Sequence, residues 1–187
     1  MRRAGLALGA LVFSVAPLAL ANGRFPSAEQ LVVEPGAPDH LAVQTTYGFI
    51  RTRDAGASWS WSCEEAAGYG GILDPPIKLF GGGRLLAGVF DGLVLSSADG
   101  CDYAFVGGDL ADRFFVDVSV YKSDPQKALG IASNGLGQNQ FDTRIFHTQD
   151  GGETWALLGT PLPSDFLALT ADVAPGDEAT IYVSGFT

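Results

Sequence analysis

The chain is 187 residues long, with 11 Lys+Arg against 21 Asp+Glu and a formal net charge of −10. Hydrophobic residues make up 47% and charged residues 17%, enough apolar mass for a packed core and too little charge for a disordered chain. The acidic balance excludes the basic stripe with which nucleic-acid binders neutralise phosphates, and the absence of a three-residue glycine period excludes collagen.

Met1 to Ala21 reads as an export signal. Arg2 and Arg3 supply the positive end, Leu6 to Val15 the apolar stretch, and Ala19-Leu20-Ala21 the small-x-small site before Asn22. Pro17 and the shortness of the apolar run argue against a membrane anchor, which needs roughly 20 apolar residues. Removing residues 1–21 takes two of the 11 basic residues and none of the 21 acids, so the mature chain carries 9 against 21 and a net charge of −12. No other stretch has the length of a span. The mature protein is expected to be soluble and secreted, in the periplasm or at the cell surface. There the two cysteines, Cys63 and Cys101, are expected to form a disulfide rather than a metal site. The only histidines, His40 and His147, fall on different strands and complete no zinc cage. No cofactor is indicated.

Short apolar runs bounded by Gly, Pro and Asp follow in four units, roughly 27–63, 75–106, 113–159 and 166–187. Each unit opens on an innermost strand: Gln30 to Glu34, Ile77 to Phe80, Phe114 to Val120, and Leu167 to Val173. A turn and a second apolar strand come next, as in Pro38 to Val43, Gly81 to Ala87, Asp124 to Leu129 and Gly176 to Val183. Third strands are Tyr47 to Arg51, Gly92 to Ser96 and Thr143 to His147. No helical periodicity appears after the export segment.

A box closes each of the first three units. Thr52-Arg53-Asp54-Ala55-Gly56-Ala57-Ser58-Trp59 has the form Ser/Thr-x-Asp-x-Gly-x-Ser/Thr-Trp, and it returns in full as Thr148, Asp150, Gly152, Thr154 and Trp155. Ser97, Asp99, Gly100 and Tyr103 form a worn copy, with the glycine one place early and Tyr for Trp. The Asp-to-Asp spacings, 45 residues from Asp54 to Asp99 and 51 from Asp99 to Asp150, suit one four-stranded blade per repeat. Each position has a mechanical reason: Asp accepts from the N–H groups of its own turn, Gly supplies a positive φ, and the hydroxyl adds a local bond. Trp59 and Trp155 are expected to bury their rings between neighbouring sheets.

The pattern resembles the Asp box, or BNR repeat, of β-propellers such as sialidases, sortilin-type receptors and photosystem II assembly factors. It resembles most closely exported bacterial BNR-like proteins, in which a segment like Asn22-Gly23-Arg24-Phe25-Pro26 follows the signal. The resemblance implies an all-β propeller of four-stranded antiparallel blades, about three and a half of them in this chain. A ring of four to eight blades then needs further blades or a second chain.

A sialidase-like site would need an arginine cluster, a Tyr nucleophile with a Glu, and an acid/base Asp. Arg24-Phe25-Pro26 resembles the Arg-Ile-Pro segment of sialidases, with Phe25 in the Ile place and Gly23 where an aromatic is expected. Arg51 and Arg53 fall on one strand face, read as the outer one. The other arginines, Arg84, Arg113 and Arg144, make no recognisable set. Glu64-Glu65 reads as a solvated turn, Asp109 and Asp112 as a polar loop, and Asn134 to Asn139 as a long hairpin. No calcium-loop or phosphate-loop spacing is present. The chain is therefore expected to be an exported, non-catalytic scaffold for a protein or glycan; the alternative is the N-terminal part of a sialidase-like glycoside hydrolase.

Overall fold

The computed structural model describes residues 24–187; the export segment read over residues 1–21 lies outside them. Three four-stranded antiparallel sheets and one two-stranded sheet follow one another along the chain. Blade 1 holds β1 (Ala28–Glu34), β2 (Ala37–Thr45), β3 (Gly48–Thr52) and β4 (Ser60–Ser62). Blade 2 holds β5 (Ile77–Leu79), β6 (Leu85–Val89), β7 (Gly92–Ser96) and β8 (Tyr103–Phe105). Blade 3 holds β9 (Phe115–Val120), β10 (Ala128–Gly137), β11 (Gln140–Thr148) and β12 (Ala156–Leu157). The hairpin of β13 (Leu167–Ala174) and β14 (Asp177–Phe186) opens a fourth. Strands pair in chain order within every sheet, which is the meander expected when short turns join antiparallel neighbours. Helical turns among the described residues are limited to Glu65–Ala67 and Gly108–Leu110.

Both faces of these sheets are apolar, because alternate residues point to opposite neighbours. In blade 1, Val32 lies opposite Ala42 and Ala42 opposite Arg51, with Phe49 two residues before Arg51, so all four share one face. Val32, Ala42 and Phe49 pack on Ile77, Leu79, Leu85, Ala87 and Val94 of blade 2. The other face of blade 2, with Phe80, Leu86 and Leu93, packs on Phe115, Val118, Ala128 and Phe146 of blade 3. Ile131, Val116 and Ile145 then meet Ala168, Ala171, Ile181 and Val183 of the last hairpin. Each blade thus sends a forward face onto the backward face of the next.

Four expectations change. Cys63 and Cys101 form no disulfide, and both thiols are free. They lie on neighbouring blades, Cys63 after β4 and Cys101 in the β7–β8 turn, but the contact there is made by Ser62, whose hydroxyl donates to the Gly100 carbonyl at 3.3 Å. An oxidising compartment yields a bridge only where two Cβ vectors converge. Trp59 is exposed, whereas Trp155 is half-buried against the blade 2–3 core. Arg51, read as outward, is buried on the face that meets blade 2. Glu64 is buried too, because its carbonyl accepts from Ala67 and Tyr69 and folds the turn back on the sheet. The Asn134–Asn139 segment continues the hairpin, which closes on Gln138 and Asn139 with φ of 53° and 57°. Left-handed geometry at both turn residues matches the strand twist.

Phe49 sits at the centre of the first junction, fully buried, with ring centroids 5.3 Å from Tyr69 and 6.1 Å from Tyr103. Phe49→Ala is expected to lower unfolding stability by about 3–5 kcal/mol. Urea unfolding should show the midpoint falling with little change in slope.

Candidate functional site

The box turns join the third and fourth strands of each blade, and their acids are bound within their own turns. Asp54 Oδ1 accepts from the Thr52 hydroxyl at 2.7 Å and the Ser58 N–H at 2.8 Å; Oδ2 accepts from the Ser58 hydroxyl at 2.5 Å. Thr52 Oγ1 in turn accepts from the Gly56 N–H at 2.9 Å, and the Trp59 indole donates to the Gly56 carbonyl at 3.1 Å. Asp150 repeats the set: Thr148 at 2.8 Å, the Thr154 N–H at 2.9 Å, the Thr154 hydroxyl, and Trp155 onto Gly152 at 3.0 Å. In the worn copy, Asp99 Oδ1 accepts from Ser97 at 2.5 Å and from the Cys101 N–H at 3.1 Å, while Tyr103 belongs to β8 and packs on the blade 1–2 core. Gly152 has a φ of 90°, and a Cβ there would also stand 2.9 Å from the Phe80 ring, so the position needs glycine for both conformation and space.

These bonds favour the ionised carboxylate. The Ser58 hydroxyl and N–H together with Thr52 hold Asp54 down to about 2. Asp99 is lowered by Ser97 and the Cys101 N–H. At Asp150 burial pushes upward, and the bonds from Thr154 and Thr148 outweigh it.

A second set of polar groups crosses between blades. Gln30 Oε1 accepts from the Ile77 N–H at 2.8 Å, Glu34 Oε1 from the Gly82 N–H at 2.7 Å, and Asp117 Oδ2 from the Ala171 N–H at 3.1 Å. Arg51 donates to the Gly83 carbonyl and to Ser96, and Arg84 pairs with Glu153. Burial pulls the Arg51 guanidinium down from its ordinary value. Sequence reasoning missed this set, although a Gln or Asp inside an otherwise apolar inner strand was its visible sign. Of the remaining acids and arginines, Arg24 forms a two-oxygen pair with Asp74, and Arg113 and Arg144 both meet Asp142. Arg53, Glu65, Asp109 and Asp112 are exposed. The described arginines are thus spread over three blades: Arg113 and Arg144 share Asp142, while Arg24, Arg51 and Arg84 have partners of their own.

Shallow grooves lie between blades. One of about 390 Å³ runs past Arg84, Tyr103, Phe105 and Glu153 between blades 2 and 3. Another, of about 560 Å³, lies between blade 3 and the last hairpin and is lined by Tyr121, Lys122, Asp172 and Glu178. Among the described residues, no group of three His, Cys, Asp or Glu side chains is placed to hold a metal ion, and no helix is long and apolar enough to cross a membrane.

The depressed value at Asp54 ties stability to pH. A carboxylate lowered on folding stabilises the native state above its unfolded value, near 3.9, and that contribution is lost as pH falls through the folded value of about 2. Asp54→Asn should therefore be less stable than the parent above pH 5, and the gap should close between pH 4 and pH 2. Urea unfolding at a series of pH values measures this, and a gap that stays constant to pH 2 would refute the assignment.

No family model and no curated protein matches the chain. Among solved structures, it is similar to a GH74 enzyme of Niastella koreensis, with a TM-score of 0.58 and 16% identity over 84% of this chain and 26% of that one. PorZ, an essential surface component of the type-IX secretion system of Porphyromonas gingivalis, aligns with a TM-score of 0.48 and 20% identity over 71% of this chain and 19% of PorZ. YCF48 bound to D1 peptide aligns with a TM-score of 0.39 and 14% identity over 89% of this chain and 63% of that one. The chain spans about a quarter of the length of the Niastella enzyme. At such identities the likeness is one of fold, and with the sheet order it makes the described residues three blades of a β-propeller and the first hairpin of a fourth.

Proposed function

We propose that this chain is an exported Asp-box β-propeller, or part of one, that works by holding a protein or glycan partner and not by catalysis. The observation that carries the reading is the state of the box acids. Asp54 and Asp150, the carboxylates of the two intact boxes, are engaged by the hydroxyls and N–H groups of their own turns. The scattered arginines support it as well, since recognition of an acidic sugar for cleavage asks several of them to converge. Rigid sheets with grooves between them suit a binding role, because loops and clefts on a stiff scaffold are where ligands are held.

The test sets binding against turnover. The mature protein, screened on an immobilised glycan array and against fluorogenic sialosides and β-glucosides, is expected to retain ligand and release no fluorophore. Turnover that survives repurification would replace this reading with the glycoside hydrolase alternative. Export has its own readout: N-terminal sequencing of the protein from the culture fluid or periplasm of its host should begin at Asn22. A product that begins at Met1 and stays with the cells would overturn that part of the reading.

A further inference from the structure

The turn from third to fourth strand carries the box, so the turn from second to third strand and the loops between blades gather at the opposite end of the sheets. At that end the β6–β7 turn holds Phe90, 51% exposed. Its ring stacks on Phe114, with centroids 4.8 Å apart and planes 23° from parallel. Phe114 packs in turn on the blade 1–2 core, so the exposed ring stands on a fixed base. The corresponding turn of blade 3 is made by Gln138 and Asn139, so a hairpin in this place has no need of an aromatic. The backbone around the stack is tied across blades 2 and 3. Asp112 N–H donates to the Asp91 carbonyl at 3.0 Å. The Asn134 side chain donates to the Asp112 carbonyl at 3.1 Å and accepts from the Phe114 N–H at 3.3 Å.

The charges around this stack have one sign. Asp91 follows Phe90, and Asp112 lies two residues before Phe114; both are exposed, as is Asp109 in the same loop. Their carboxylates enter no ion pair among the described residues. The arginines at this end are spent, Arg24 on Asp74 and both Arg113 and Arg144 on Asp142. Lys122 and Lys127 lie in the β9–β10 turn at the box end, and Lys78 lies within β5. An exposed aromatic face and unpaired carboxylates attract the same kind of group, a cation, and carboxylates repel anions. The stack is an open surface apart from the two grooves described above, which suits a segment of polypeptide better than a small molecule.

We propose that the Phe90–Phe114 stack, with Asp91, Asp109 and Asp112 around it, docks a basic segment of a partner protein. Arginine or lysine stems lie on the exposed phenyl ring, and their cationic ends meet the carboxylates. The backbone bonds between the two blades hold the surface ready, so little ordering is needed on docking. The proposal deepens the binding reading and rests on it, selecting a protein partner over a glycan.

Fluorescence anisotropy of the mature chain with a labelled peptide of alternating arginine and leucine tests it, beside the same peptide with glutamate for arginine. The arginine peptide is expected to bind, more weakly as salt is raised, and the glutamate peptide is expected not to bind. Phe90→Ser removes the exposed ring without changing charge and should weaken binding about fivefold. Asp91→Asn with Asp112→Asn should weaken it as well. Asp39→Asn with Asp102→Asn, an equal charge change at exposed positions of the box end, should leave it as in the parent. Every variant should keep the parent's far-ultraviolet circular dichroism. Equal weakening by the two double variants overturns the proposal, since it would mean attraction to the acidic chain as a whole. A parent that binds neither peptide, undiminished binding in Phe90→Ser, or binding of the glutamate peptide overturns it too. Any of these results beside ligand retained on the glycan array defeats this proposal alone, whereas turnover of a sialoside or β-glucoside defeats the binding reading.

Discussion

Burial of both faces of the sheets inside the stack, blades 2 and 3, is the constraint on which the rest of this structure depends. An antiparallel sheet in a two-layer protein needs one apolar face and wets the other. Here the alternation serves two neighbours, and the strands read as nearly continuous apolar runs. Leu85-Leu86-Ala87 shows it: Leu85 and Ala87 face blade 1, and Leu86 faces blade 3. The core is therefore not one mass but a series of slabs, each shared by two blades, and no blade owns its own core. This is why the stack behaves as a repeat architecture, in which each unit is completed by the next.

Stacking creates a polar problem that the side chains between blades solve. The innermost strand is an edge strand in its own sheet, so alternate N–H groups along it have no ladder partner. At Ile77 and Ala171 that partner is a side-chain oxygen of the preceding innermost strand, from Gln30 and from Asp117. At the blade 2–3 junction a backbone bond appears, Gly81 N–H donating to the Pro125 carbonyl at 3.3 Å, beside the Arg84–Glu153 pair. Lys78 occupies the middle of β5 and offers no acceptor, which fits the change of device. Arg51 does the same work further out, spending its donors on Gly83 and Ser96 while apolar burial is completed around its stem.

The repeat, the strand order and the position of each box turn were legible in the residues, because turn chemistry and alternation are local signals. Legibility ended where a choice between two apolar faces was needed. Alternation says that Arg51 and Arg53 leave the chain on one side, but β3 ends at Thr52 and the turn begins, so Arg51 goes under blade 2 while Arg53 goes to solvent. Glu64 failed for a related reason: the turn after β4 folds inward on Tyr69, and nothing in a pair of adjacent glutamates encodes that direction. Cys63 and Cys101 are brought to neighbouring blades, yet their pairing is a matter of Cβ geometry, which compartment does not contain. Gln30 and Asp117 were readable as polar residues inside apolar strands, and their shared place in two innermost strands is the feature that marks them.

The two intact boxes separate what a turn needs from what a junction needs. Trp59 and Trp155 close the same bond, at 3.1 Å and 3.0 Å, although one ring is exposed and the other is half-buried against the blade 2–3 core. The Asp54 and Asp150 networks likewise match donor for donor. The box is thus complete without cover, and its hydrogen bonds belong to the hairpin and not to the stack. What cover adds is steric demand. A Cβ at Gly56 would meet only its own Trp59 ring, whereas at Gly152 it would meet Phe80 and Leu95 of blade 2, and at Gly100 the Arg51 guanidinium of blade 1. The box is a locally closed hairpin whose glycine leaves room for the preceding blade to approach.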